Sequence, residues 1–279
     1  MRFVLSLRWL AKPSARIAGT SLLALATIAF TSPADGAISS LTARIETAAW
    51  LSPATVPQAT TFAGTAAVGT LFTVSNGTLG NHFCTASVVH SPHGNLLATA
   101  AHCVTGRPGT IAFVPGYDNG KTPYGIWYVS RVFVDQAWSA SSSVADDVAF
   151  LQVGANSAGT QIEAVTGAEQ LGRSDAGQLT DVIGYPDGSN APVACDNQTT
   201  AFTVPSNGTT QLEFDCGGYP DGTSGGPFLT RVNKTTGLGT VTGVIGGYEQ
   251  GGNSPSVSYS APFGSSVAAL YRTAVAAAS

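Results

Sequence analysis

The sequence predicts an all-β protein made of two six-stranded antiparallel β-barrels, followed by a C-terminal α-helix. Three observations favour this fold class. Glycine is abundant, with 33 residues in 279, and charged residues make up only 10% of the chain, a composition typical of a turn-rich protein. Short apolar runs recur between turn residues in two groups of six, as in barrels and sandwiches. Each group contains one pair of cysteines.

The N-terminal segment predicts export. Residues 1–16 carry four basic side chains and no acidic one, and an apolar run follows over residues 17–30. Ser32 and Ala34 place small residues at positions −3 and −1 of a cleavage site. This order is typical of a secretory signal peptide, here residues 1–34. A membrane anchor is the alternative, but the run is short for a span, so we expect a secreted, extracellular protein.

The charge of the exported chain limits its partners. Removal of residues 1–34 takes away four positive charges and no negative ones, so the formal net charge moves from −4 to −8. An acidic protein is a poor candidate for binding nucleic acid or anionic membranes. We expect neither as a partner after signal removal, and we predict a monomer.

The first barrel is predicted over about residues 64–155. Residues 35–63, which precede it, are rich in Ala, Thr, Ser and Pro without a clear period, and indicate a propeptide or an N-terminal arm. The six apolar runs of the first barrel are 67–74, 83–90, 95–99, 110–114, 126–134 and 147–153. Turn sequences such as Asn76-Gly77 separate them.

The second barrel is predicted over about residues 176–262, after a polar linker at 154–176. Its apolar runs are 180–185, 192–204, 209–216, 226–232, 238–248 and 257–262. Apolar residues then recur at helical spacing over residues 265–277, which predicts a terminal helix packed on the body. The predicted globular domain is residues 64–279.

Four cysteines remain after the signal segment, and an even number in an exported chain predicts disulfides. Three pairings are open. Proximity along the chain groups Cys84 with Cys103 and Cys195 with Cys216, one pair in each half, and we predict these two bonds. A zinc site is disfavoured because the chain has no Cys-x-x-Cys and its histidines lie near only one pair. No metal and no other cofactor is predicted.

Three stretches carry residues for nucleophilic catalysis. Ser224 lies in a Gly-Thr-Ser-Gly-Gly sequence, His102 precedes a cysteine, and Asp147 begins an apolar strand. A serine hydroxyl becomes a strong nucleophile when an imidazole accepts its proton, while a buried carboxylate fixes the imidazole tautomer. Glycine lets backbone N–H groups converge on a developing oxyanion. The N–H groups of Gly222 and Ser224 are the natural donors.

The serine stretch also matches the Gly-x-Ser-x-Gly elbow of α/β-hydrolases. In that fold the catalytic histidine follows the serine along the chain, whereas all four histidines here precede Ser224. Pro227 and the strand-like Phe228-Leu229 also argue against the helix that an elbow begins. The sequence therefore disfavours an α/β-hydrolase elbow. The candidate catalytic residues occur along the chain in the order histidine, aspartate, serine.

That order resembles the order in chymotrypsin-like, or trypsin-like, serine proteases. Three motifs, spaced by 45 and 77 residues, are similar to the signatures of this superfamily: Thr99-Ala-Ala-His102-Cys, Asp147-Val-Ala-Phe-Leu and Gly222-Thr-Ser224-Gly-Gly-Pro. The resemblance covers about residues 64–272. Within the superfamily the chain most resembles bacterial secreted enzymes of the glutamyl-endopeptidase type, whose Gly-Tyr-Pro turn corresponds to Gly184-Tyr-Pro186.

The resemblance implies a secreted serine endopeptidase that cleaves protein or peptide substrates through an acyl-enzyme. Ser224 would attack the scissile carbonyl, His102 would transfer the proton, and Asp147 would orient His102. The Cys84–Cys103 bond would brace the histidine loop. Offsets from Ser224 indicate that the substrate pocket is lined by Tyr219, Gly246, Gly247 and Tyr248, unless these are packing and turn residues.

Two departures from the family pattern bear on activation and specificity. Thr223 stands where animal trypsins have the aspartate that pairs with a new α-amino group, so that switch is not expected here. No histidine lies beyond His102, and Ile245 occupies the position near which glutamyl endopeptidases carry one. Gly218 occupies the position of the trypsin specificity acid. Neither Glu nor Lys/Arg specificity is therefore supported.

Other interpretations of single residues and of the function are also compatible with the sequence. Asp146 competes with Asp147 as the acid, and the other histidines, His82, His90 and His93, are interpreted as solvated or structural. Asp118-Asn-Gly120 and Asp187-Gly188 are interpreted as plain turns rather than calcium loops. The rival functions are a secreted barrel that only binds, and an esterase that uses the same three residues.

Overall fold

The computed structural model describes residues 56–107 and 109–277. The predicted signal peptide at 1–34, and most of the segment predicted at 35–63, lie outside the described residues. The first described element is a short strand, β1 (Thr60–Thr61). Within the described residues, no helix is both long and apolar enough to span a membrane.

The first half of the described chain is a closed six-stranded barrel. Its strands are β2 (Val68–Ser75), β3 (Thr78–Val89), β4 (Leu96–Thr99), β5 (Thr110–Pro115), β6 (Trp127–Val134) and β7 (Ala149–Val153). They close in the order β2-β3-β4-β7-β6-β5, and every pairing is antiparallel. Three short helices interrupt the barrel: α1 (Ala101–Val104), α2 (Gln136–Ser141) and a 3-10 turn (Val144–Asp146).

The second half contains the remaining strands. They are β8 (Gln170–Leu171), β9 (Leu179–Gly184), β10 (Val193–Gln198), β11 (Thr200–Thr203), β12 (Thr210–Asp215), β13 (Pro227–Thr230), β14 (Thr240–Val244) and β15 (Val257–Ser260). One sheet runs β1-β10-β9-β13-β14-β8 and a second runs β11-β12-β15. The helices are α3 (Ile162–Thr166), a 3-10 turn (Tyr248–Gly251) and α4 (Ser265–Ala276).

The predicted fold class is confirmed in that the described chain is mostly β, with a closed six-stranded barrel and a C-terminal helix, while the strands of the second half form two sheets. The strands follow the predicted apolar runs closely. The run predicted at 192–204 is divided, because Thr199 is buried and bonds to Gly177 and Gln178 instead of continuing the ladder. At Thr199 the chain therefore passes from the six-stranded sheet to the three-stranded sheet. The linker predicted at 154–176 contains α3 and β8, and β8 pairs with β14 in parallel. Such a pairing is not visible in local periodicity.

The N-terminal arm of the described chain packs on the second half, and the C-terminal helix packs on the first barrel. Upstream of the first barrel, β1 pairs with β10 of the second half, and the Ala59 N–H donates to the Gly217 carbonyl at 2.8 Å. At the other end, α4 docks on the first barrel: the Gln152 amide donates to the Ala274 carbonyl at 2.7 Å. The Tyr271 hydroxyl donates to the His90 carbonyl at 2.8 Å.

Candidate active site

The fully buried Asp147 is hydrogen-bonded to the partly buried His102 at the edge of the first barrel. Asp147 follows the 3-10 turn and precedes β7, and its side chain is fully buried. Its Oδ2 lies 2.7 Å from His102 Nδ1, and its Oδ1 accepts the His102 backbone N–H at 2.9 Å. Two bonds from one carboxylate fix both the ring and the main chain of His102. With Nδ1 facing the carboxylate, Nε2 is the nitrogen left for other chemistry.

A third donor reaches the same carboxylate from the second half of the chain. The Gly247 N–H donates to Asp147 Oδ2 at 2.8 Å. Gly246 lies so close that a Cβ there would come within 3.0 Å of the same oxygen. The buried carboxylate is therefore surrounded by hydrogen-bond donors, as a buried polar group requires. The neighbouring Asp146 instead accepts the Ser143 hydroxyl at 2.6 Å.

The loop that carries Ser224 depends on glycine backbone geometry. Gly222 has φ +92° and Gly225 has φ +80°, a region that disfavours residues with a Cβ. A Cβ on Gly222 would lie 2.3 Å from the Asp187 nitrogen, and one on Gly225 would lie 2.1 Å from the Thr99 hydroxyl. Ser224 itself is half-buried. The close contact with Thr99 brings the serine loop to the end of β4, three residues before His102.

Two N–H groups of the serine loop lack an acceptor among the residues that the structure describes. Among the described residues, neither the Gly222 N–H nor the Ser224 N–H donates a hydrogen bond within the protein, whereas the Gly225 N–H is bonded to the Ile245 carbonyl at 2.7 Å. Free N–H groups of a serine and of the residue two positions before it are the arrangement that an oxyanion site needs.

Thr223 holds the serine loop by an uncharged contact. It is 2% exposed, and its hydroxyl donates to the Pro220 carbonyl at 2.7 Å. Its Cβ packs on Gly184, where an added Cβ would lie 2.7 Å away. Glycine in the Gly184-Tyr-Pro186 turn therefore makes room for the threonine. The loop is fixed without the charged pair that the trypsin pattern uses.

The structure pairs Cys84 with Cys103 and Cys195 with Cys216. Both Cys84 and Cys103 sulfurs and a His102 ring nitrogen lie within 4.8 Å of one another. Because these sulfurs are joined in the disulfide, they are not thiolates able to ligate a metal. The bond fixes α1, and with it His102, to β3.

A pocket of about 360 Å³ opens beside Ser224. Its walls are Tyr219, Pro220, Asp221, Thr223, Ile245 and the segment 249–255. Tyr219 turns its hydroxyl into the core, where it donates to the Val182 carbonyl at 2.6 Å. Two lining residues, Asp221 and Glu249, are acidic, and no lining residue is basic. Of the four residues predicted to line this pocket, Tyr219 does so, while Gly246 and Gly247 contact Asp147 and Tyr248 lies among aromatic side chains.

Thr85 is a site residue that the sequence reasoning missed. Its hydroxyl donates to the Gly222 carbonyl at 3.1 Å and accepts the Tyr185 N–H at 2.8 Å. Its backbone N–H donates to the Ser224 carbonyl at 2.8 Å. One fully buried threonine of the first barrel thus bonds to both sides of the serine. The only local signal was its position after Cys84, which is too weak to single it out.

The remaining histidines lie away from this constellation. His90 Nδ1 is 2.5 Å from Glu163 Oε1 on the surface, His93 is exposed, and His82 packs edge-on against Phe72 with a centroid distance of 5.7 Å. Asp118, considered as part of a calcium loop, lies in a turn 3.6 Å from the Lys121 ammonium.

A closed barrel joined to a second β half, with a buried aspartate bonded to a histidine beside a glycine-rich serine loop, is typical of trypsin-like serine peptidases. The sequence profile described as trypsin-like peptidase domain matches residues 84–238. The chain belongs to this family and is a serine peptidase.

Solved structures of proteases share the fold. The protease Anisep from Arthrobacter nicotinovorans is 25% identical, with a TM-score of 0.63 over 77% of this chain and 98% of that one. The thermostable serine protease AL20 from an extremophilic microorganism is 24% identical, with a TM-score of 0.64 over 76% and 98%. A Glu endopeptidase is 16% identical, with a TM-score of 0.58 over 79% and 97%. Among curated proteins, no significant match was found.

Proposed function

We propose that the chain is a secreted serine endopeptidase that cleaves peptide bonds through an acyl-enzyme. The observation that carries this proposal is the fully buried Asp147, bonded to His102 at 2.7 Å beside the loop of Ser224. Such a carboxylate holds the imidazole in the tautomer that accepts a proton at Nε2 and stabilises the imidazolium that forms.

Each residue then has a role in the reaction. Ser224 Oγ attacks the scissile carbonyl carbon while His102 Nε2 takes its proton. The N–H groups of Gly222 and Ser224 hold the oxyanion. His102 returns the proton to the leaving amine, and a water molecule, activated by the same imidazole, releases the acyl group from Ser224. Asp147 keeps the imidazole of His102 oriented throughout.

The test is the Ser224→Ala variant, with Ser139→Ala on the exposed face of α2 as the matched control. We expect Ser224→Ala to lose casein hydrolysis and labelling by a fluorophosphonate probe, while its melting temperature stays that of the parent. Ser139→Ala should keep both activities. Hydrolysis by Ser224→Ala at the parental rate would refute the mechanism, and an unlabelled parent would instead favour the protein that only binds.

We further infer that export removes residues 1–34 and that the mature enzyme keeps residues 57–63. Support comes from the arm itself: the Gly217 N–H donates to the Pro57 carbonyl at 2.7 Å, next to the pocket wall at Tyr219. Maturation then cuts between residues 35 and 56. Mass spectrometry of the secreted enzyme tests this, since an N-terminus beyond Pro57 would contradict it.

A further inference from the structure

Three aromatic side chains form a cluster on the second half, outside the residues used above. Phe202 of β11, Tyr248 of the second 3-10 turn and Tyr259 of β15 are all half-buried. Their ring centroids are 4.6 to 5.2 Å apart. We call this set the aromatic platform. Such short distances leave no space for a ligand between the rings, so a ligand would lie on their outer faces.

Two carboxylates border the aromatic platform. Glu213 is the cross-strand partner of Tyr259 in the pairing of β12 with β15, and burial together with the charge of Glu213 raises the pKa of Tyr259 to about 12. The charge of Glu249 raises the pKa of Tyr248. In the described part of the chain, no Lys, Arg or His nitrogen lies within 4.0 Å of either carboxylate. The border of the platform is therefore negatively charged and unneutralised.

The platform is continuous with the candidate active site. Glu249 also lines the pocket beside Ser224. The Gly246 N–H donates to the Tyr259 carbonyl at 2.9 Å, and Gly246 touches Asp147. The Tyr248 N–H donates to Gln211 Oε1 at 2.9 Å. These bonds hold the platform in a fixed position relative to the reacting groups.

The direction of the substrate follows from the proposed reaction. The leaving amine departs toward His102, which gives it a proton, and so toward the Cys84–Cys103 bond. The acyl half of the substrate stays on the side of the pocket, where Glu249 and the platform lie. The platform therefore faces substrate residues on the N-terminal side of the scissile bond, beyond the one in the pocket.

We propose that the aromatic platform, with Glu213 and Glu249, binds a lysine or arginine side chain of the substrate at one of the positions P2 to P4. A cation over an aromatic face is attracted by the ring quadrupole, and a facing carboxylate adds a charge interaction. The long aliphatic stem of Lys or Arg also covers apolar ring surface. An acidic side chain at the same position is repelled by both carboxylates. This inference rests on the proposed function.

The test uses peptide pairs that share one P1 residue and differ only by Lys against Gln at P2, P3 or P4. For the enzyme at low ionic strength we expect kcat/KM to be about tenfold higher for the Lys peptide at one position, given two weak exposed interactions. The preference should fall with added salt, because exposed charges are screened. The Glu213→Gln/Glu249→Gln double variant should reduce it to about twofold. Tyr248→Leu, which removes one aromatic ring but neither carboxylate, should also reduce the preference for the Lys peptide.

Asp175→Asn is the matched control, because it removes an exposed carboxylate outside the pocket and the platform and should keep the tenfold ratio. A Lys/Gln ratio below twofold for the parent, or an unchanged ratio in the double variant, would overturn the subsite while peptide hydrolysis continued. Failure of the proposed function would differ, since no peptide would be cleaved and no fluorophosphonate would label the parent enzyme.

Discussion

The Thr85 hydroxyl donates a hydrogen bond of 3.1 Å to the Gly222 carbonyl, across 137 positions of sequence. Thr85 lies on β3 of the first barrel and Gly222 in the serine loop of the second half. The same hydroxyl accepts the Tyr185 N–H at 2.8 Å. Because His102 belongs to the first half and Ser224 to the second, this contact fixes the two halves at the point where they must meet.

Thr85→Val should destabilise the protein and slow the reaction. Valine has the same shape but leaves the Gly222 carbonyl and the Tyr185 N–H without their buried partner. Each unpaired group costs about 1–3 kcal/mol. We expect the free energy of unfolding to fall by about 2–6 kcal/mol, measured by urea denaturation, with a lower kcat. Thr85→Ser keeps the hydroxyl and is the control; equal losses in both variants would contradict the role of the hydrogen bonds.

Asp147→Asn should reduce kcat by about 10⁴-fold without unfolding the protein, since an amide no longer holds His102 in the reactive tautomer. The neighbouring residue provides the control. Asp146→Asn removes the same charge one position earlier, where the carboxylate contacts Ser143 rather than His102. Active-site titration and kcat with one peptide substrate check both. A comparable loss in Asp146→Asn would mean that the charge, not the contact, matters.

Glu169 makes stability depend on pH. It is fully buried, and burial raises its pKa to about 7, helped by the charge of Asp181 and opposed by a hydrogen bond from the Gly239 N–H. The pKa of Glu169 is higher in the folded protein than in the unfolded chain. The contribution of Glu169 to the free energy of unfolding is therefore fully present below about pH 4.5 and is lost as the pH rises to about 7.

Glu169→Gln, which mimics the protonated acid, should therefore remain stable at pH 8 where the parent weakens. We expect the difference in unfolding free energy between pH 5 and pH 8 to shrink by up to about 3 kcal/mol. Calorimetry at both pH values measures it. Asp181, whose pKa is raised to about 6 mainly by burial, titrates in both proteins and leaves a smaller shared dependence. An identical pH profile in the variant would rule out Glu169 as the cause.

The strands and the reacting residues could be predicted because both are local signals. Alternating apolar runs define strands over a few residues, and the motifs around His102, Asp147 and Ser224 each fit within about six. The contacts of Thr85 with Gly222 and of Gly246 with Asp147 could not be predicted, since each joins residues about 100 or more positions apart. Gly246 was predicted only as a pocket-lining residue. Thr85 is one of several threonines in the predicted strands, so nothing in its local sequence marked it.

The same limit applies to the aromatic platform. Phe202, Tyr248 and Tyr259 come from three separate elements, and only the pairing of β11, β12 and β15 brings two of them side by side. At the level of sequence they are three unrelated aromatic residues. Tyr248 was singled out, but as a lining residue of the pocket rather than as part of a cluster.

The two ends of the described residues each pack on the opposite half of the protein, which limits how the protein can be divided. The arm at Pro57–Thr61 completes the edge of the second half, and α4 covers the first barrel. If the chain were cut in the segment 154–161, the N-terminal fragment would keep the arm but lose α4, which covers its barrel. The C-terminal fragment would keep α4 but lose the arm, which completes the edge of its sheet. The two halves are thus complementary fragments rather than modules: neither is a self-sufficient folding unit, and they should unfold together in one cooperative transition.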